Sequence, residues 1–118
     1  KFPAFNITAD YEGSVFFNNA ENRRVRITVT NSLSMRQQQW ARITLYTPPD
    51  VCIPGGRSII LPLNNLWGSK AEVEFTIDTS VCREAKLEII VDVSLEGRHS
   101  SGQMKLTLMK DKASGSPA

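Results

Sequence analysis

The sequence has few histidines, few cysteines and a small net charge, and each of these features excludes a class of function. The 118 residues include one histidine and two cysteines, and 14 basic residues nearly balance 12 acidic ones, for a net charge of +2. A structural zinc site needs four Cys or His ligands, so such a site is excluded. The small net charge provides no electrostatic footprint for nucleic acid or for an anionic membrane. We therefore expect no cofactor, no nucleic-acid partner and no membrane partner.

Long apolar runs and helical periodicity are missing as well. No apolar run approaches the length that spans a bilayer, and no stretch repeats apolar residues at the helical period. No signal peptide is visible, because the apolar start of the chain meets polar Asn6 almost at once. The start at Lys1 resembles a cut inside a longer protein. We therefore expect one domain of a multidomain protein.

Alternating apolar and polar residues fill most of the chain, which is typical of strands with one buried face. The clearest example is 85–109, where a glycine-containing turn at 96–102 separates two alternating runs and predicts a β-hairpin. Seven strands are predicted in all, with a further short extended piece at 14–17; their ranges are 5–10, 24–31, 40–46, 58–63, 71–78, 86–95 and 103–109.

Seven to eight antiparallel strands with regularly spaced turn signals predict an all-β fold, an immunoglobulin-like β-sandwich. A closed barrel is the alternative, and the Cys…Trp…Cys spacing of antibody domains is absent. The domain should cover 1–109, and 110–118 has the composition of a flexible tail or linker. The predicted core consists of the inward-facing residues of these strands: Val25, Ile27, Val29, Ile43, Leu45, Val73, Phe75, Ile77, Leu87, Ile89, Val91, Val93, Leu106 and Leu108.

The order of several motifs is similar to that of a bacterial module family. These motifs are RITVTN at 26–31, ARITLYTPP at 41–49, AEVEFTI at 71–77 and KLEIIVDVSLEG at 86–97. The chain resembles, over about 23–109, the NEW-type and related Ig-like domains appended to glycoside hydrolases such as bacterial alpha-galactosidases. That family usually has a Pro-Gly turn before the VEFTI-like strand, where this chain has NNLWG. The resemblance implies an accessory role rather than catalysis.

One end of such a sandwich gathers the loops that follow the second, fourth and sixth predicted strands. These loops carry Arg36, Trp67, Arg98 and His99. Arg and Trp are favoured recognition residues, so the four form a candidate binding patch for a carbohydrate or protein ligand. In the alternative interpretation, Trp67 plugs the end of the sandwich and the polar residues are solvated turn residues.

A second candidate surface is the outward side of the third predicted strand. Trp40, Arg42 and Tyr46 alternate with Ala41, Ile43 and Leu45, which should face inward. Exposed aromatic side chains on a sheet face pack against a neighbouring domain or stack on a sugar, and we favour the domain interface. In the alternative register, Trp40 turns inward.

The two cysteines follow the third and fifth predicted strands, whose loops should share the other end of the sandwich. Cys52 and Cys82 are therefore expected to lie close together and are a candidate disulfide, which a cytoplasmic protein would keep reduced.

No motif places a nucleophile or a carboxylate beside His99, so we expect no catalytic residues and no enzyme activity. Together with the resemblance, which implies a bacterial hydrolase as the parent, the sequence predicts a non-catalytic accessory domain of a larger bacterial protein, a hydrolase, which packs against or orients a catalytic domain. The alternative is a carbohydrate- or protein-binding module that uses the loop patch.

Overall fold

The computed structural model describes residues 5–31, 39–64, 66, 68–96 and 100–110, and within them every regular element is a strand. In these ranges no helix is long and apolar enough to cross a membrane. The strands agree with the predicted ones to within three residues at either end, and Lys110 belongs to the last strand rather than to the tail. Their bounds are β1 Phe5–Tyr11, β2 Phe16–Phe17, β3 Arg23–Asn31, β4 Gln39–Tyr46, β5 Ser58–Leu63, β6 Lys70–Ile77, β7 Lys86–Glu96 and β8 Ser100–Lys110.

The strands form two sheets that enclose one apolar core, as in a β-sandwich. One sheet has the order β1-β3-β6, and the other has the order β2-β8-β7-β4-β5. β3 is central in the smaller sheet, between β1 and β6. Its apolar residues Val25, Ile27 and Val29 are fully buried, and the arginines and threonines between them lie on the outer face. β7 and β8 form the predicted hairpin.

One pairing corrects the prediction of wholly antiparallel strands. β2 runs parallel to β8, with Phe16 beside Met109. A tight turn follows β1, in which Glu12 and Gly13 have φ values of 49° and 73° in the left-handed region. This turn transfers the chain from one sheet to the other. A strand that has changed sheets is not paired to its predecessor in a hairpin, so its pairing need not be antiparallel.

The core contains the predicted residues with two exceptions. Val73 and Leu106 are half-buried, although they pack against the core. Val73 lies on β6, an edge strand, and Leu106 lies on β8 outside the two-residue stretch that β2 covers. Both therefore have an open side where a central strand would have a neighbour. Phe17 of β2, by contrast, is almost fully buried, at 1% exposure.

Buried Thr79 joins two loops at one end of the sandwich. Its hydroxyl donates to the backbone oxygen of Asn18 at 2.7 Å, and its backbone N–H donates to the oxygen of Ala20 at 2.9 Å. The Asn19 amide donates back to the oxygen of Thr79 at 2.9 Å and to that of Cys82 at 2.6 Å. The loop after β2 is thereby fastened to the loop after β6.

Candidate interaction surface

The predicted loop patch of Arg36, Trp67, Arg98 and His99 lies entirely outside the described residues. It therefore stays a prediction. Asn31, the last residue of β3, lies at the same end of the sandwich and is described by the structure. Its side chain is buried, at 1% exposure.

Asn31 anchors the β5–β6 connection through its side chain and its backbone. The side-chain amide donates to the backbone oxygens of Asn64 and Leu66, at 3.1 and 3.2 Å. The backbone N–H donates to the oxygen of Ser69, and the N–H of Gly68 donates to the oxygen of Asn31. A buried amide with several bonds to one loop holds that loop against the end of β3. The sequence alone does not reveal this role, since Asn at a strand end is also an ordinary turn residue.

The outward side of β4 is as exposed as the alternation predicts. Trp40 and Tyr46 have exposures of 49% and 54%, and Arg42 between them is exposed too. Ala41, Ile43 and Leu45 are fully buried. Trp40 does not turn inward because an inward register would place these three apolar residues in water.

β5, the edge strand beside β4, places two further apolar side chains on this surface, and the sequence alone does not reveal them. In the β4–β5 register, Trp40 is opposite Pro62 and Arg42 is opposite Ile60, and both β5 residues are exposed. Directly opposite residues of an antiparallel pair share one face of the sheet. We call Trp40, Arg42, Ile60 and Pro62 the β4–β5 patch.

Tyr46 is not part of that patch. It is six residues along β4 from Trp40, which corresponds to about 20 Å in an extended strand. Its partner on β7 is half-buried Ile90. The three residues predicted as one interdomain face thus occupy two ends of the face, with Thr44 between them hydrogen-bonded to Ser58 at 3.1 Å.

The same sheet face becomes polar towards β7 and β8. The Gln103 amide donates to the Asp92 carboxylate at 3.0 Å, and the Lys105 ammonium is 3.0 Å from the Glu88 carboxylate. The hydrogen bond and the positive charge of Lys105 lower the pKa of Glu88. This paired, solvated half contrasts with the apolar β4–β5 patch, so the outer face offers one region suited to packing.

Within the part of the chain that the structure describes, no three His, Cys, Asp or Glu side chains are grouped so as to hold a metal ion. The outer face of the smaller sheet carries a shallow charged groove that includes Asp10, Glu12, Arg24, Arg26 and Glu74. Its charges are largely matched, since Arg26 pairs with Glu74 at 3.1 Å and Glu12 pairs with Arg23 at 3.2 Å.

The loops that carry the two cysteines lie side by side, but no disulfide joins them. Cys52 exchanges two backbone hydrogen bonds with Asp78, and the Arg83 N–H donates to the Asp50 carboxylate at 3.3 Å. Both thiols are free. The Cys52 side chain is exposed, whereas the Cys82 side chain is buried in the core, and burial raises the pKa of its thiol.

We expect thiol-reactive probes to distinguish the two cysteines. A thiolate is the reactive species, so at about pH 8 the exposed Cys52 should be modified readily and Cys82 should not. Ellman titration without reductant should count one fast thiol in the native protein and two in denaturant. A count of zero in denaturant would contradict the free thiols, and two fast thiols in the native protein would contradict the burial of Cys82.

Comparison with known proteins adds information about the fold alone. No protein-family model matches the sequence, and no curated protein matches it. Among solved structures, this chain is similar to the crystal structure of a FixG-related protein from Vibrio parahaemolyticus. The two share a TM-score of 0.65 over 93% of this chain and 99% of that chain, at 11% sequence identity.

Proposed function

We propose that this chain is an immunoglobulin-like accessory domain that packs against a neighbouring domain of a larger bacterial protein through the β4–β5 patch. The exposed apolar surface of Trp40, Ile60 and Pro62, with Arg42 among them, is the observation that carries the proposal. Aromatic side chains and Arg are enriched at protein interfaces. The identity of the parent as a hydrolase rests on the resemblance of the sequence motifs.

The strand order supports the immunoglobulin-like assignment. In immunoglobulin domains, the third, sixth and seventh strands form one sheet and the first, second and fifth lie in the other. Counting the long strands of this chain gives the same division, with β4, β7 and β8 in one sheet and β1, β3 and β6 in the other. β5 stays beside β4, as the strand after the third does in variable-type domains.

The geometry of the aromatic side chains favours a domain interface over sugar binding. Trp40 and Tyr46 are about 20 Å apart along β4, which is too far for them to stack on one sugar ring. The residue of β5 directly opposite Trp40 is apolar Pro62, and Ile60 is the next outward-facing residue of that strand. A flat aromatic and aliphatic surface of this kind is typical of protein contacts.

Hydroxyl-radical footprinting tests the proposal by comparing the isolated domain with the full-length protein from the natural gene. We expect Trp40 and Pro62 to be oxidised several-fold more slowly in the full-length protein, because the neighbouring domain covers them. Met109 is a control in the same sheet, since it is 46% exposed on β8, two strands from β4, and should be oxidised equally in both samples.

Equal oxidation of Trp40 in the two samples would overturn the proposal, as would a natural gene that encodes no further domain.

Substitution provides a second readout. Trp40→Ser should change the free energy of unfolding of the isolated domain by only about 0.5 kcal/mol, yet loosen the full-length protein to limited proteolysis. Val81→Ser is the matched control, because Val81 is exposed at the other end of the sandwich. Quenching of tryptophan fluorescence by a glycan panel would instead support the sugar-binding alternative, and its persistence in Trp40→Ser would assign it to the loop patch that contains Trp67.

A further inference from the structure

The two lateral sides of the sandwich differ. On one side, β1 packs onto β8: a Cβ at Gly102 would lie only 3.2 Å from the Phe5 ring, so the absence of a side chain there allows the ring to close over the strand. On the other side, the edges of β5 and β6 flank an open cleft of about 350 Å³. Apolar side chains line it, among them Ile53, Ile59, Val73 and Phe75.

The edge of β6 beside this cleft presents backbone groups that have no strand partner within the described parts of the chain. The Asn31 N–H donates to the Ser69 oxygen at 2.8 Å, and Asn31 is one step beyond the Thr30–Lys70 pair of the β3–β6 ladder. Hydrogen-bonded pairs alternate along an antiparallel ladder, so the odd-numbered residues of β6 bond to β3. The N–H and C=O groups of the even-numbered residues therefore point to the free edge; these residues are Lys70, Glu72, Glu74 and Thr76.

Asp78 is the next even-numbered residue, and its backbone already pairs with an antiparallel segment at this edge. The Asp78 N–H donates to the oxygen of Cys52 at 2.8 Å, and the Cys52 N–H donates to the oxygen of Asp78 at 3.0 Å. If this pairing continued, Pro54 would lie opposite Thr76, but Pro54 has no N–H to donate. The chain also turns away at this point, since the Gly56 N–H donates to the oxygen of Ile53. Among the residues that the structure describes, none pairs with the edge of residues 70–76, which extends over about 23 Å.

The side chains along this edge define the chemistry of a partner. Glu72 and Glu74 are exposed on the outer face, where Glu74 pairs with Arg26 at 3.1 Å, and half-buried Val73 faces the cleft. Suppose that a second copy of the chain paired its β6 edge antiparallel to this one, with Val73 opposite Val73. Glu72 of each copy would then lie opposite Glu74 of the other, and like charges directly opposite each other destabilise a strand pair. Acidic residues on an edge thus discourage self-association while they favour a basic partner.

We propose that the β6 edge binds an extended segment of a different polypeptide by strand addition, antiparallel to β6. Backbone hydrogen bonds to the even-numbered residues hold the segment. Its alternate side chains are apolar and enter the cleft beside Val73 and Phe75, and its Lys or Arg residues lie opposite Glu72 and Glu74. This site is separate from the β4–β5 patch and does not depend on it.

A designed peptide of matching register tests the proposal. The peptide Thr-Val-Lys-Val-Lys-Val-Glu, acetylated and amidated at its ends, is written so that its first residue lies opposite Thr76 and its last lies opposite Lys70. In this antiparallel register its two lysines lie opposite Glu74 and Glu72. The control peptide Thr-Val-Glu-Val-Glu-Val-Lys exchanges only the charges. In a ¹⁵N-HSQC titration, we expect saturable shifts of the β6 amides and binding about tenfold tighter for the first peptide than for the control.

Variants at Glu72 separate strand addition from general charge attraction. Glu72→Pro removes a free-edge N–H without touching the ladder to β3, so it should abolish binding, whereas Glu72→Gln loses the same charge but keeps the N–H and should only weaken binding. Glu72→Lys should reverse the preference between the peptides, whereas Glu88→Lys, the same change on the other sheet, should not; circular dichroism checks the fold of each variant. Absence of binding, equal affinity for both peptides or shifts away from β6 would overturn the proposal. So would concentration-dependent dimerisation that shifts the same amides, because it would assign the edge to a second copy.

Discussion

Phe17→Ala is expected to lower the free energy of unfolding by about 3–5 kcal/mol, because it deletes a fully buried aromatic side chain from a close-packed core. Phe17 is the largest of the side chains that are less than 2% exposed. It belongs to β2, which has two residues and, among the described strands, pairs with β8 alone. Loss of the ring therefore removes the main apolar contact that holds this short strand. Urea unfolding followed by circular dichroism measures the change.

The adjacent residue provides the control for this experiment. Phe16→Ala deletes the same side chain one position earlier, where it is 51% exposed. Because a surface substitution of this kind usually changes stability by no more than about 0.5 kcal/mol, its unfolding midpoint should stay near that of the wild type. Equal midpoints for the two variants would contradict the inward orientation of Phe17 and the parallel pairing that sets it.

The second large effect is expected at Thr79, where Thr79→Val should cost about 1–3 kcal/mol. Valine keeps the shape of threonine but lacks the hydroxyl that donates to Asn18 at 2.7 Å and accepts from the Ala20 N–H at 3.3 Å. Since Thr79 is fully buried, water cannot replace these bonds at the same site. The substitution should loosen the loop after β2 and its attachment to the loop after β6.

Thermal or urea unfolding of Thr79→Val and Thr107→Val compares a buried hydroxyl with an exposed one. Thr107 lies on the outward side of β8, so its substitution should be close to neutral. Hydrogen exchange gives an independent readout, because the Ala20 amide should exchange faster in Thr79→Val. A variant as stable as the wild type, with unchanged exchange at Ala20, would contradict the role of the hydroxyl.

The possible interaction sites differ in how far local sequence reveals them. The outward position of Trp40 and Arg42 follows from alternation within β4 alone. Ile60 and Pro62 could not be added from sequence, because nothing local shows that β5 pairs with β4 in the register that sets Pro62 opposite Trp40. The loop patch depends on loops outside the described residues, so the structure leaves it as a prediction.

By itself the sequence determined the strands and their buried faces. Period-two alternation is a local property, and it identifies Val25, Ile27 and Val29 as inward-facing whatever β3 pairs with. The strand neighbours were set by the tertiary structure, because pairing depends on which edges the loops bring together. It put β2 parallel to β8, which buries Phe17, and it left β6 at an edge, which leaves Val73 half-buried beside an open cleft.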